Sequence, residues 1–167
     1  MAVSANGLIA AESGSEDFLS HENWEFFCNL AKESGNFIVG RKTYEAVKKW
    51  KGEYNFDSLV GIEKVVISHS RIFVLDKGYL LATSPYDALA KLSKKGIQRA
   101  LIVGGGNINA AFAKANLLDE IILNVNPVFI GKGMPVFTGQ DFMMRSQLSA
   151  VEQYDNGIVT LRYQVSK

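Results

Sequence analysis

Leu101-Ile102-Val103-Gly104-Gly105-Gly106-Asn107-Ile108-Asn109 is the stretch on which the fold turns. Ala100 to Val103 is an apolar run too short for a helix and closed at once by glycine, which reads as a buried strand, and the spacing predicts a helix from about Asn107 to Asn116. A buried strand that meets glycines and reopens as a helix is the characteristic joint of an α/β chain. The same joint suits an anion, because glycines let a ligand approach the backbone and a helix N-terminus offers free N–H groups and a positive dipole end. The fuller G-x-G-x-x-G fingerprint is absent, and three glycines at a strand end also make an ordinary tight turn. Spacing alone leaves both readings open.

On the N-terminal side, Met1 to Ala10 reads as a short apolar strand broken by the turn dipeptide Asn6-Gly7. Ser20 is placed to cap a helix in which Trp24, Phe27, Cys28 and Ala31 recur at helical spacing before Gly35 stops it. Phe37-Ile38-Val39 predicts a buried strand, Thr43 to Trp50 a helix, and Lys64 to Ser68 and Tyr79 to Thr83 two further strands. Ser84-Pro85-Tyr86-Asp87 supplies a cap, a first-turn proline and an N3 acid for a helix from Ala88 to Lys95. On the C-terminal side, Asp119 to Val125 predicts a strand, and two alternating runs, Ser146 to Tyr154 and Ile158 to Val165, flank Asp155-Asn156-Gly157 as a hairpin. Strands alternating with helices and closed by a hairpin predict a three-layer α/β fold. Its central sheet is mostly parallel, with helices on both faces and antiparallel strands at one edge.

Composition limits the function. With 167 residues, 47% hydrophobic and 21% charged, the chain reads as one domain spanning residues 1–167. Lys and Arg number 18 against 17 Asp and Glu, so no overall field favours a nucleic acid or a membrane surface, and any anion site is local. The single Cys28 excludes an internal disulfide, the first residues show neither a basic start nor an apolar signal stretch, and no run is long enough to cross a bilayer, so a cytoplasmic location is expected. His21 and His69 share no metal-ligand spacing with Cys28, and no metal is expected.

Two further segments carry polar chemistry at strand ends. Gly40-Arg41-Lys42-Thr43 sets two cations beside a helix start, and Ser68-His69-Ser70 adds hydroxyls and an imidazole of the kind that bind phosphate oxygens. Each also reads as a solvated loop. Trp24, Phe26 and Phe27 read first as core and second as pocket wall.

Ala2-Val3-Ser4-Ala5-Asn6-Gly7-Leu8-Ile9-Ala10, Phe37-Ile38-Val39-Gly40-Arg41-Lys42-Thr43-Tyr44-Glu45 and Ile102-Val103-Gly104-Gly105-Gly106 follow one another in an order that resembles the dihydrofolate reductase-like fold group. Leu118-Asp119-Glu120-Ile121 and Asn126-Pro127-Val128-Phe129-Ile130-Gly131-Lys132-Gly133-Met134-Pro135-Val136-Phe137 resemble its riboflavin-biosynthesis reductase branch, the RibD C-terminal domain. The resemblance covers nearly the whole chain. It implies an NADPH-dependent reductase, similar to 5-amino-6-(5-phosphoribosylamino)uracil reductases, acting on a small carbonyl, imine or pterin- or pyrimidine-type substrate. By the same resemblance Ala10 and Val103 border the cofactor, and Gly40, Arg41, Lys42 and Thr43 line its adenine and phosphate side. Ser68 and His69 approach its 2′-phosphate, and Gly104, Gly105, Gly106, Asn107, Ile108 and Asn109 hold the pyrophosphate. It also implies a cis peptide between Gly104 and Gly105, and a homodimer.

On the substrate side the sequence departs from true dihydrofolate reductases. The position that matches their helix carboxylate is Asn23, with Glu22 beside it, and Asn124 on a following strand is expected to face it. The loop Ala11 to Leu19 lacks their tryptophan and proline, and no arginine stands between Lys51 and Lys64 to grip a glutamyl carboxylate, which makes dihydrofolate a poor substrate. The riboflavin branch usually has an aspartate where this chain has Asn6. Amides orient a substrate but do not ionise to supply a proton. Three readings therefore stand: an active reductase, a nucleotide-binding domain of the same fold without catalysis, and a partner-binding domain without ligand.

Overall fold

The structure, a computed structural model, describes residues 1–50, 54–70 and 72–167. Strands β1 (Ala2–Ser4) and β2 (Leu8–Ala11) flank the Asn6-Gly7 turn and lead to helix α1 (His21–Ser34). There follow β3 (Asn36–Gly40), α2 (Arg41–Val47), β4 (Glu63–Ile67), β5 (Tyr79–Ala82), α3 (Pro85–Ser93) and α4 (Gly106–Lys114). The chain ends with β6 (Glu120–Asn126), β7 (Gly133–Pro135), β8 (Ser146–Gln153) and β9 (Val159–Val165).

Local chemistry sets the helix bounds. Ser20 caps α1 in extended conformation, its N–H donating to Asn23 Oδ1 at 2.9 Å, and Gly35 ends the helix at φ 66°, a left-handed conformation glycine adopts without a Cβ clash. Ser84 caps α3, its Oγ accepting the Asp87 N–H at 3.1 Å, while Asp87 Oδ2 accepts from the Thr83 N–H at 2.9 Å. α2 begins at Arg41, two residues before the helix expected from Thr43, and ends at Val47. Its start is set directly by the end of β3.

β3, β4 and β5 pair in parallel, with Gly40 opposite Ile67 and Ile67 opposite Ala82. Leu101–Val103 lies along the free edge of β3: the Ile38 N–H donates to the Leu101 carbonyl at 2.7 Å and the Val103 N–H to the Ile38 carbonyl at 2.9 Å. The strand expected from Ala100 to Val103 is thus reduced to one parallel bridge, Ile38 to Ile102. β1 runs parallel to β6, and the antiparallel β9 and β8 complete a four-stranded sheet in the order β1-β6-β9-β8, which puts the hairpin at the edge as its alternation predicts. β2 pairs antiparallel with β7, a short strand the sequence did not suggest.

Period-two alternation in β3 and β4 sends successive side chains into different layers. Phe37, Val39 and Val66 pack with Ala31, Tyr44, Val47, Phe56 and Leu59 on the α1 and α2 side. Ile38, Val65 and Ile67 pack with Ala82, Ala88, Leu92, Phe112 and Ala113 on the α3 and α4 side. Phe37 and Phe112 are fully buried and each contributes about 1.5–3 kcal/mol of transfer free energy. The result is the mixed α/β, helix–sheet–helix architecture expected. Among the described residues no helix is long and apolar enough to cross a membrane.

Candidate active site

Parallel pairing places the carboxyl ends of neighbouring strands side by side, which is where open α/β sheets bind ligands. Here those ends are Gly40, Ile67-Ser68 and Val103-Gly104, and the Gly40 N–H donates to the Gly104 carbonyl at 2.7 Å. Gly40-Arg41, Ser68-His69 and Gly104-Asn107, separate in sequence, therefore share one edge. A Cβ on Gly40 would lie 2.7 Å from Ile108 Cγ1, so α4 packs over the end of β3 at a distance only glycine allows. The Gly104–Gly105 peptide is cis, as the resemblance implies.

In the first turn of α4, the N–H groups of Ile108 and Asn109 donate to the Gly105 carbonyl at 2.9 and 3.1 Å. Those of Gly106 and Asn107 stand earlier in the helix, where no carbonyl lies one turn back to receive them. Thr43 Oγ1 lies 3.0 Å from the place a Cβ would occupy on Gly105, which leaves a narrow slot between α2 and α4. The Ile108 side chain packs against the core and Asn109 donates from Nδ2 to the Val136 carbonyl at 2.8 Å, so both side chains serve the scaffold.

Arg41 is held in place. Its guanidinium meets Glu45 at 3.3 Å and lies 5.7 Å above the Phe73 ring. Phe73 packs edge-on against Tyr44, whose hydroxyl donates to Asp76 at 2.6 Å, and Asp76 also pairs with Lys48. Lys42 and His69 are exposed beside it, whereas Ser68 is buried and its Oγ accepts the Ser70 N–H at 3.1 Å. Ala10 is buried on β2 against β7.

A cavity of about 560 Å³ opens from this edge toward α1. Thr43, Val103 and Gly105 line it on one side and Asn23 and Asn124 on the other, so it joins the two groups of residues singled out by the sequence. Asn23 Nδ2 donates to Asn124 Oδ1, and Asn124 Nδ2 donates to Thr160 Oγ1 at 2.8 Å. With Asn23 Oδ1 engaged by Ser20, each amide keeps one N–H for a ligand. Glu22 is exposed, and the Ser20 hydroxyl holds its carboxyl below the usual range, so it is no acid for the cavity.

The sequence reading missed Glu16. It lines the cavity from the loop between β2 and α1, and its carboxyl has no hydrogen-bond or ion-pair partner among the described residues. Burial raises its pKa to about 7. The only signal was an acid just ahead of the apolar Phe18-Leu19, which a polar loop also explains. The wall is aromatic: Trp24 stacks on Phe56 at 6.2 Å and meets Trp50 and Tyr54 edge-on at 6.3 and 5.8 Å. Trp24, Phe26 and Phe27 face the cavity, and Trp24 and Phe27 also pack against the core, so the core and wall readings hold together.

Residues 1–160 match the RibD C-terminal domain family. Over 95% of the chain and 91% of the relative, it is 26% identical to the uncharacterized protein YwjB of Bacillus subtilis. A 2,5-diamino-6-ribosylamino-4(3H)-pyrimidinone 5′-phosphate reductase of Archaeoglobus fulgidus is 33% identical over 75 residues, 43% of this chain and 34% of that protein. Among solved structures, RibD of Acinetobacter baumannii superposes with a TM-score of 0.79 at 20% identity, covering 99% of this chain and 56% of that one. A pyrimidine reductase-like protein of Corynebacterium diphtheriae gives a TM-score of 0.78 at 15% identity, covering 99% and 90%.

Proposed function

Because the chain belongs to the RibD C-terminal domain family, we propose that it is an NADPH-dependent reductase of a small carbonyl, imine or pyrimidine- or pterin-type substrate. The observation that carries this reading is a cavity that joins the strand-end edge of Thr43, Val103 and Gly105 to the amides of Asn23 and Asn124.

The residues present fit a phosphorylated dinucleotide. The Gly106 and Asn107 N–H groups and the slot between Thr43 and Gly105 suit a pyrophosphate. Arg41, backed by Phe73 and Glu45, suits a terminal phosphate, with Lys42 and His69 exposed beside it. Bound NADPH supplies the hydride. The free N–H groups of Asn23 and Asn124 orient a substrate acceptor atom, and Glu16, whose pKa lies near neutrality, holds a proton that can be given to it.

The interlocked amides favour a second reading, a domain that binds the dinucleotide without turning over. An NADPH titration followed by NADPH oxidation against carbonyls, pterins and deaminated pyrimidine ribosides separates the two. The reductase reading expects substrate-dependent oxidation with at least one compound and little with dihydrofolate. Tight NADPH binding with no oxidation across the panel would establish the second. In the same proposal the chain acts as a homodimer in the cytoplasm and takes neither nucleic acid nor membrane as partner.

A further inference from the structure

We propose that Tyr44 and Asp76 are positioning residues for the dinucleotide: together they hold Phe73 beneath the Arg41 guanidinium and thereby set the preference for NADPH over NADH. The inference rests on reading Arg41 as the residue that meets the terminal phosphate.

Helical spacing brings the parts together. Arg41, Tyr44 and Lys48 recur at i, i+3 and i+7, which puts them on one face of α2 and its C-terminal cap. The connection from β4 to β5, which Ser68 and His69 open, meets that face through Phe73 and Asp76. The Tyr44 ring is buried in the core and lies edge-on to Phe73 at 6.0 Å and to Tyr79 at 5.0 Å. A phenylalanine ring would fill that space as well, so the hydroxyl serves another purpose. It donates to Asp76 Oδ2 at 2.6 Å and accepts the Asp76 N–H at 3.4 Å, gripping the side chain and the backbone of one residue. Lys48 pairs with the same carboxylate and stands 5.4 Å from the centroid of the Tyr44 ring. Lys48 and Tyr44 hold the Asp76 carboxyl below its usual range, so the grip stays ionic at neutral pH.

What the grip fixes is a platform. Phe73 stands three residues before Asp76, and the Arg41 guanidinium lies 5.7 Å over its ring, within cation–π range. The Glu45 contact at 3.3 Å is an exposed i,i+4 pair, a weak tether by itself. A long cation without a platform loses rotamer freedom when it meets a phosphate, and a platform removes part of that loss before binding. The advantage reaches a dinucleotide with a phosphate on its adenosine ribose and passes over NADH, which has a hydroxyl there.

The test is a calorimetric titration of wild type, Tyr44→Phe, Asp76→Ala and Asp76→Asn with NADPH and NADH, repeated in the Arg41→Ala background, with circular dichroism confirming that each variant folds. NMR of each ligand-free chain reads the ring-current shift that Phe73 imposes on the Arg41 side-chain protons. Tyr44→Phe and Asp76→Ala should weaken NADPH binding about three- to tenfold, leave NADH binding unchanged and shrink the ring-current shift. Asp76→Asn, which keeps an acceptor for the Tyr44 hydroxyl, should retain part of the NADPH affinity. Once Arg41 is replaced, none of these variants should change either affinity further. A purely structural role would weaken both dinucleotides alike or persist in the Arg41→Ala background; either result overturns the proposal, as does an unchanged ring-current shift. Equal affinity of wild type for the two dinucleotides overturns the reading of Arg41 and the proposal with it, whereas a wild-type preference that survives loss of the clamp refutes the proposal alone.

Discussion

Glu16 shows how a side chain acquires chemistry from its surroundings. A carboxyl in a polar loop titrates near its ordinary value of 4.5, but burial without a partner carries this one to about 7. Between those two values the folded chain holds a proton that the unfolded chain has released, so this group lowers stability as pH rises through the interval and the loss is complete above it. A displacement of this size corresponds to at most about 3 kcal/mol, less for a carboxyl that keeps some water contact. Glu16→Gln is therefore expected to be more stable than wild type by about 1–2 kcal/mol at pH 8 and indistinguishable at pH 4, measured by urea unfolding at both. An equal effect at the two pH values would show that the carboxyl is not desolvated.

At the scale of elements, α3 is the helix whose sequence and structure agree most closely, because its cap is wholly local: Ser84, Pro85 and Asp87 lie within four residues. Ser84→Ala removes the acceptor for the Asp87 N–H and should cost about 1 kcal/mol, read as a lower urea midpoint with unchanged slope. The same locality made the bounds of α1, between Ser20 and Gly35, and the Asp155-Asn156-Gly157 hairpin legible in the sequence. β7 was not legible, since its three residues, Gly133 to Pro135, have no alternation of their own and become a strand only by pairing with β2. Nor was the reduction of Leu101–Val103 to a single bridge, which depends on what lies beside it. The strand-end edge proposed for the cofactor could be read because each strand-to-helix joint is contiguous. The cavity wall could be read only in part: Trp24, Phe26 and Phe27 read second as pocket wall, whereas Glu16, Trp50, Tyr54 and Phe56 stand elsewhere in the chain and only the fold brings them beside it.

For the molecule as a whole, the edge strand β8 raises the question of what covers it. Its register slips between Leu148 and Ala150, so Leu148 faces Tyr163 and Val151 faces Leu161. That irregularity puts Leu148 and Val151, 54% and 56% exposed, on one face of the sheet. The proposed homodimer places this face in its interface. Light scattering should then give twice the 18.4 kDa chain mass, and the double variant Leu148→Lys, Val151→Lys should give the single mass; a wild-type monomer at micromolar concentration would refute the pairing. The central claim, a reductase built around NADPH, is tested most directly by titrating wild type and Arg41→Ala with NADPH and NADH. The account predicts that wild type binds NADPH at least about tenfold more tightly than NADH, and that Arg41→Ala, losing a charge-assisted contact of about 1.5–3 kcal/mol, loses most of that preference while its NADH affinity hardly changes. Equal affinity of wild type for the two dinucleotides, or an NADPH affinity that survives Arg41→Ala intact, would contradict it.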